Sequence, residues 1–571
     1  MAGGPHGSSA PMKGRFRLGL VLVVFLLVGC TGLPTRGPVE THTAVAPQGG
    51  GGVAIAPAAP APGASPETIV EGFLHAMATY QAGYPVARQY LTAGAGGAWH
   101  PEAGITVYAE GHPPTVLGDN VVLVAPTVGS VTGSGIFSQA SGQIRQDFGL
   151  VKNNDGEWRI SNPPTGLLLS QYLFRSSFAA IRLYFYEPGM TYLIPDQRFV
   201  PNGPAGPARA VTELLSGPRP GLVPALAASS TRSIKADSVT EDPSGIVTVT
   251  LNDASLNGLV GTREQLVGQL AWTLDSFDSV SAFRVVTRSD PWLQRASDTS
   301  GRVELNAFPE LTPIANLSVR DLWGVVAGKL VQLSPLAADR VSDPVAGLDG
   351  VAVGAAKADG RTLAAVTTGG ALVVGQRDGK FQVEVANGMD KVRPQYSRLG
   401  ELWSVTAGGF RVSVDGQERR LTTALPGPVR AFRVSPDGTT VAAVTEANGA
   451  PRLSLGLVVR EGATMTITGW RPLEVSASTG PSALDVAWLD AVHVAALVKE
   501  NNTTSVLVGD SDGAQFDDVG PNQVADLVEI ASAPGGTSPT IIRSEPGLVY
   551  RYRQQFSWIA TGQKFQSLFY A

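Results

Sequence analysis

The side chain with the clearest chemistry in this chain is a thiol, in the motif Leu27-Val28-Gly29-Cys30. Cys30 is the only cysteine among 571 residues, so it cannot form a disulfide within its own chain. A leucine three positions before the cysteine and a glycine directly before it form a lipobox, at which a bacterial thiol receives a diacylglyceryl group before cleavage. We therefore predict S-diacylglycerol and N-acyl attachment at Cys30, with Leu27, Val28 and Gly29 as the cleavage motif.

The segment before this cysteine has the three parts of a secretory signal. Lys13, Arg15 and Arg17 form a basic start, and residues 18–28 are an apolar run that is too short to span a bilayer. The alternative is an apolar start-transfer segment with an incidental cysteine. These parts predict a signal peptide over residues 1–29. Because two acyl chains anchor a protein stably where one does not, we also predict a lipid-anchored protein on the outer face of the cell membrane.

Other candidate chemistry is weaker. The stretches 324–329 and 375–380 are too short for a phosphate loop and lack its Ser/Thr, and Asp510-Ser-Asp-Gly513 lacks the spacing of an EF-hand. His493 stands inside an apolar strand, which favours a buried or edge position over catalysis. A pair of carboxylates for glycoside hydrolysis stays an open alternative, because the two partners need not be close in sequence. We predict no catalytic residue, no metal ligand and no cofactor.

Composition favours an exported, multidomain, mainly β protein. Hydrophobic residues make up 43% of the chain and charged residues only 16%, while 67 glycines and 41 prolines indicate many turns. The formal net charge is −5. Removal of the signal peptide would make it more negative, because three cations would be removed with it. This balance argues against nucleic acid as a partner.

The chain then divides into a tether and a first folded unit. Residues 30–65 are rich in Gly, Pro and Ala and predict a flexible tether. Folded structure is expected from Pro66 onward. The spacing of apolar residues, which include Tyr80, predicts a helix over residues 66–81, with Ser65 as its N-cap. Alternating strands follow, with a hairpin turn at residues 153–156. Residues 66–170 thus predict an α+β unit, and this layout resembles the cone-shaped folds of the NTF2-like class.

Strands and helices alternate in the next unit, residues 175–300, which predicts an α/β layer. Five segments of this unit follow one another along the chain, namely R-L-Y-F-Y, Y-L-I-P-D-Q-R, A-V-T-E-L-L-S-G-P, G-I-V-T-V-T-L-N and Q-L-V-G-Q-L-A-W-T-L-D. This ordered set resembles the GerMN domain of sporulation and germination proteins. The resemblance implies a binding or assembly module without an assigned catalytic residue.

A repeat organises residues 311–571. The string A-D-G-R-T-L-A-A-V-T, which begins at residue 358, returns as S-P-D-G-T-T-V-A-A-V-T from residue 435. Each copy is a turn that leads into a strand of small residues, and a period of about 40 residues is typical of propeller blades. We predict a β-propeller of about six blades, with Asp359 and Asp437 in turn roles. An open array of β-sandwiches is the alternative.

The order of lipobox, tether, α+β unit, GerMN-like unit and propeller resembles the actinobacterial LpqB lipoprotein family along essentially the whole chain. The resemblance implies a non-enzymatic accessory of an MtrA–MtrB-type two-component system, which contacts the extracytoplasmic domain of the sensor histidine kinase. Of the family's functional positions, only the lipidated cysteine transfers, to Cys30. Two alternatives are kept, namely a solute- or cell-wall-fragment-binding lipoprotein and a cell-wall hydrolase.

Overall fold

The fold is described from a computed structural model. Its described residues are 1, 3–4, 57–118, 120–227, 234–259, 261–288, 296–314, 321–333, 341–447, 449–475, 481–521, 524–535, 538–553 and 557–571. Every helix and strand below belongs to one compact unit, Pro47–Ala571. None of the helices among these residues combines the length and the apolar character that a membrane crossing requires.

Three helices open the N-terminal domain, namely α1 (Pro66–Ala78), α2 (Pro85–Gln89) and α3 (Ala93–Ala98). Ser65 caps α1 as predicted, since its side chain accepts a hydrogen bond from the backbone N–H of Thr68. The apolar positions of α1, such as Phe73 and Met77, are fully buried. The predicted inclusion of Tyr80 in this buried face is wrong, because the helix ends at Ala78 and Tyr80 is 41% exposed.

A six-stranded sheet packs against these helices. It consists of β1 (Gly104–Tyr108), β2 (Thr115–Leu117), β3 (Asn120–Thr132), β4 (Phe137–Gln139), β5 (Gln143–Asp147) and β8 (Leu167–Ser170). The main order is β2-β3-β1-β8, with β4 and β5 also paired to β3. Strands β6 (Leu150–Lys152) and β7 (Trp158–Ile160) form a separate hairpin around the predicted turn, where Gly156 N donates to Asn153 O.

A short helix, α4 (Gln171–Ser177), leads into the second domain. This domain begins with the antiparallel pair β9 (Phe178–Tyr186) and β10 (Leu193–Pro201). It continues with α5 (Gly206–Ser216), β11 (Ala236–Glu241), β12 (Ile246–Leu251), α6 (Arg263–Leu274), β13 (Ala282–Val286) and β14 (Arg302–Glu304). The sheet order is β11-β12-β13-β14, and only β12 and β13 are parallel, because α6 connects them. A capping box between Thr262 and Gln265 starts α6.

Six further sheets among the described residues form the blades of the propeller. The first three contain β15 (Leu322–Val326), β16 (Lys329–Leu333) and β38 (Ser567–Tyr570); β17 (Val351–Ala356), β18 (Thr362–Thr367), β19 (Leu372–Gln376) and β20 (Lys380–Val385); and β21 (Gln395–Tyr396), β22 (Leu402–Thr406), β23 (Gly409–Val414) and β24 (Gln417–Glu418). The last three contain β25 (Arg420–Thr423), β26 (Val429–Val434), β27 (Thr440–Ala447), β28 (Ala450–Glu461) and β29 (Thr464–Pro472); β30 (Ser482–Trp488), β31 (His493–Glu500), β32 (Thr503–Asp510) and β33 (Phe516–Asp518); and β34 (Leu527–Ala531), β35 (Ile541–Ser544), β36 (Leu548–Arg553) and β37 (Ser557–Lys564).

The last strand of the chain closes the ring. Strand β38 pairs with β15 of the first blade, and it also contacts the inner strands β17 and β34 of the neighbouring blades. The chain's two propeller ends therefore share one sheet, which leaves no open edge at the point of closure.

An arginine joins the blades at the centre of this ring. Arg393 is buried and donates to the carbonyl oxygens of Leu568 at 2.8 Å and Ile530 at 2.9 Å. Its guanidinium also pairs with the buried carboxylates of Asp485 and Glu529. Because these partners come from three other blades, Arg393 ties together inner strands that the chain connects only through loops.

The fold class predicted from the sequence is confirmed: the protein is mainly β, with an α+β N-terminal unit, an α/β second unit and a C-terminal β-propeller. The predicted turn roles are present as well. The carboxylate of Asp359 accepts from the backbone N–H of Arg361, and that of Asp437 accepts from Thr439. Asp359 thus holds the turn between β17 and β18, and Asp437 holds the turn between β26 and β27.

Candidate functional site: the junction of the three domains

The β9–β10 hairpin of the second domain lies where all three domains meet, and we call this contact region the junction. Every residue of β10 except its last is buried, including Asp196, Gln197 and Arg198. A strand with two covered faces is normally apolar throughout. Arg198 has a partner in the N-terminal domain, whereas the partners of Asp196 belong to the second domain and Gln197 Nε2 has no hydrogen-bond partner.

A buried ion pair forms the middle of the junction. Arg198 donates to the Asp196 carboxylate at 2.7 Å, and the backbone N–H of Arg219 donates to the same oxygen at 2.8 Å. Arg198 also reaches the N-terminal domain, where it donates to the carbonyl oxygen of Ser134 at 2.9 Å. A buried ion pair that loses one partner is strongly destabilising, so this arrangement ties the register of β10 to the neighbouring domain.

Aromatic side chains seal the contact between β10 and the N-terminal domain. The Phe199 ring lies 5.0 Å from that of Phe174 and 5.9 Å from that of Phe137, measured between centroids. The backbone N–H of Phe199 donates to Gly135 O at 2.8 Å. Apolar burial and a backbone hydrogen bond therefore act together at this side of the junction.

On the propeller side, a tyrosine of the second domain docks onto two blade turns. The Tyr192 hydroxyl donates to the carbonyl oxygen of Asp437 at 2.9 Å. The Arg398 guanidinium lies 3.9 Å from the centre of the Tyr192 ring, in cation–π geometry. Arg398 also donates to Thr312 O at 2.9 Å, so it holds the segment that enters the propeller. The turn carrying Asp437 thus has two roles, one within its blade and one between domains.

A second group of charges joins the hairpin to the fifth blade. Arg182 of β9 pairs with Asp490 at 3.0 Å, and Asp490 pairs with His493 Nδ1 at 2.7 Å. His493 Nε2 lies 3.3 Å from Asp510. Burial by itself would lower the pKa of His493, but hydrogen bonds and charge from Asp490 and Asp510 raise it to about 9. His493 is therefore a cation at neutral pH, between two carboxylates.

The turn after β32 also contacts the N-terminal domain. Burial, and then the charge of Asp510, raise the pKa of Asp512, and Asp512 Oδ2 has no hydrogen-bond partner. Ala514 packs into the core of the N-terminal domain, and the Gln139 amide donates to Gly513 O at 3.1 Å. This stretch is a turn. No group of three His, Cys, Asp or Glu side chains in the described part of the chain is placed to hold a metal ion.

A small cavity of about 180 Å³ lies at the side of the third and fourth blades. Its lining comprises Leu399, Glu401, Val414, Arg419, Arg460, Gly462 and Met465, with no aromatic side chain. Within it, Arg460 pairs with Glu401 at 2.7 Å. The volume is below the range of about 300 to 1,000 Å³ that is usual for small-molecule sites.

The residues predicted from the lipobox, Leu27, Val28, Gly29 and Cys30, lie outside the described residues. His493 stands in the ion-pair group rather than in an apolar core. The sequence alone did not indicate the junction residues on the second domain, chiefly Arg182, Tyr192 and Asp196. One signal was present, since Pro-Asp-Gln-Arg interrupts the apolar run of β10 and marks a strand whose polar groups need partners from elsewhere.

Three family models match the chain in order. The model described as Lipoprotein LpqB, N-terminal domain, matches residues 59–175. The model described as Sporulation and spore germination matches residues 182–287, and the Lipoprotein LpqB beta-propeller domain matches residues 328–564. The two LpqB models together match more than half of the chain, and the resemblance noted in the sequence is confirmed.

Similar proteins carry the same family name. "Lipoprotein LpqB" of Cutibacterium acnes is 27% identical over 565 residues, which cover 93% of this chain and 95% of that protein. "Lipoprotein LpqB" of Thermobifida fusca is 25% identical, with the same coverage of both chains. Among solved structures, TolB of Acinetobacter baumannii matches with a TM-score of 0.36 and 14% identity, over 47% of this chain and 70% of that chain.

Proposed function

Since this chain belongs to the LpqB lipoprotein family, we propose that it is a membrane-anchored, extracytoplasmic, non-enzymatic accessory protein that binds and modulates a two-component sensor kinase of the MtrB type. The observation that carries the proposal is the match of both LpqB domain models, with the germination-type domain between them, together with relatives named Lipoprotein LpqB that align over 93% of the chain.

Anchoring follows from the chemistry of Cys30. Burial of acyl chains contributes about 0.8 kcal/mol per methylene, and two chains hold a protein stably where one does not. The names of the relatives support the same modification. Acylation at Cys30, directly after Leu27-Val28-Gly29, places the folded domains on the outer face of the membrane in this proposal.

Modulation of a kinase needs a body whose binding energy can favour one state of its partner. The junction supports this role, because paired charges and packed aromatic rings link the second domain to both neighbours. Linked domains can present several surfaces to the kinase at once. Confinement to the membrane raises the effective concentration of the two proteins, and differential affinity for two kinase states shifts their populations.

The anchoring step is tested by Cys30→Ser, with Thr31→Ser as the matched control that keeps the thiol. In cells, the Cys30→Ser protein should lose acyl labelling and the kinase-dependent transcriptional output should change, whereas the control should behave as the wild type. Normal acyl labelling of the Cys30→Ser protein, or unchanged signalling without the acyl groups, would contradict the proposal.

The partner is tested by crosslinking in living cells, followed by identification of the attached protein. We expect the extracytoplasmic domain of the sensor kinase. Recovery of cell-wall fragments instead would favour the solute- or wall-fragment-binding alternative, and hydrolysis of wall material by the purified protein would favour an enzyme. Either result without kinase attachment would overturn the accessory role.

A further inference from the structure

Among the described residues, one face of the four-stranded sheet of the second domain is less buried than the other. Its inner face carries apolar side chains such as Val247, Val249 and Phe283, which are fully buried in the domain core. On the outer face, Thr248, Thr250 and Val286 are only half-buried. Parallel strands usually have both faces covered, yet the parallel pair β12–β13 lies at the middle of this sheet.

One cross-strand row crosses this outer face. Thr240 of β11 pairs with Thr248 of β12, Thr248 with Arg284 of β13, and Arg284 with Arg302 of β14. Aligned partners in a sheet point to the same side. Two arginines therefore stand directly opposite each other, and like charges in this arrangement are destabilising unless an anion lies between them.

The charges at the rim of the face form ion pairs, whereas Arg284 at its centre is attracted by the charge of Asp242 without forming an ion pair with it. Arg288 pairs with Asp237 at 3.0 Å, and Arg302 pairs with Glu304 at 3.1 Å. Arg284 makes no ion pair to any described residue, and its Nε is buried without a hydrogen-bond partner, as is Nε of Arg302. A guanidinium has donors in a fixed fork that matches a carboxylate, so the unused Nε donors of Arg284 and Arg302 could bind one further carboxylate.

We propose that the outer face of β11–β14 docks the extracytoplasmic domain of the sensor kinase, with a carboxylate side chain of that domain seated between Arg284 and Arg302. This inference rests on the proposed function and adds the surface and its chemistry. Thr240 and Thr248 supply hydroxyl groups beside the carboxylate. A desolvated arginine near the centre of a contact is the kind of residue that dominates binding energy.

The test is charge reversal at Arg284 in the full-length, membrane-anchored protein. Arg284→Glu is compared with Arg420→Glu, the same change at an exposed position in the outer strand β25 of the propeller. Crosslinked kinase is quantified from cells, together with kinase-dependent transcription. We expect capture to fall by roughly tenfold or more for Arg284→Glu and to stay at the wild-type level for Arg420→Glu.

A second variant, Thr248→Glu, distinguishes a loss of docking from a folding defect. Its carboxylate would pair with Arg284 from within the chain, so capture should fall while the thermal unfolding midpoint stays the same or rises. If the wild type captures the kinase and the Arg284→Glu and Thr248→Glu variants capture it equally well, the docking surface is overturned and the accessory role remains. No kinase capture by the wild type would instead overturn the proposed function, and the docking surface with it.

Discussion

At the scale of single residues, charge is buried at the interfaces between domains and blades, and most of it is paired. Arg393 at the centre of the propeller and Arg198 in the junction each hold a buried carboxylate. Such pairs contribute less to stability than to geometry, because desolvation offsets much of their attraction. Their effect here is to specify which strands and domains meet.

His493 predicts a pH dependence. Its pKa is about 9 in the folded protein, above its ordinary 6.5. Because the folded state binds this proton more tightly, the stabilisation is complete below about pH 6.5 and is lost as the pH rises to about 9, by at most about 3 kcal/mol. In urea unfolding, His493→Gln should lose stability near neutral pH and show a flatter decline over this range.

The matched control for that measurement is His75→Gln, at an exposed position of α1. It should keep the wild-type pH profile. An identical decline in the wild type and in His493→Gln would mean that His493 does not hold its proton through Asp490 and Asp510.

At the scale of elements, the propeller depends on a strand from the far end of the chain. Strand β38 supplies Leu568 to a core cluster with Leu322 and Val331 of the first blade. Closure of a ring by its last strand removes the open edges that would otherwise pair with other molecules. Closure of the ring therefore depends on a few C-terminal residues.

Leu568→Asp tests this closure against Val383→Asp. Leu568 is 1% exposed and Val383, in the outer strand β20, is 63% exposed. A buried unpaired carboxylate should cost about 3 kcal/mol or more, so Leu568→Asp should lower the urea midpoint and increase aggregation. Val383→Asp should change neither. Equal midpoints for the two variants would show that β38 is not needed for a closed ring.

At the scale of the whole molecule, the second domain mediates between its neighbours. Its β9–β10 hairpin contacts the N-terminal domain through Phe199 and the propeller through Tyr192 and Arg182. Contacts of this kind make relative domain motion costly, unlike those of a flexible linker. A signal received on one domain can therefore change the position of the others.

Arg182→Glu should loosen this arrangement, because it places a like charge opposite Asp490 and removes one partner of a largely buried pair. We expect unfolding to separate into two transitions and the radius of gyration by X-ray scattering to increase. Arg420→Glu serves again as the control and should keep the wild-type profile. A single unchanged transition for Arg182→Glu would mean that this ion pair does not couple the domains.

The sequence by itself determined the features that depend on local chemistry and spacing. Residue period predicted the fold class, and Asp359 and Asp437 were predicted as turn residues, because a short side chain that caps its own backbone acts within a few positions. The lipobox prediction at Cys30 has the same local character, since an enzyme reads it as a short string.

Only the tertiary structure decided which polar and charged groups meet. Tyr192 and Asp437 are separated by 245 positions, and Arg182 and His493 by 311. The same holds for Arg284 and Arg302, which face each other only through strand register. Residue type and period carry no information about such partners, because burial between domains is set by how whole surfaces pack.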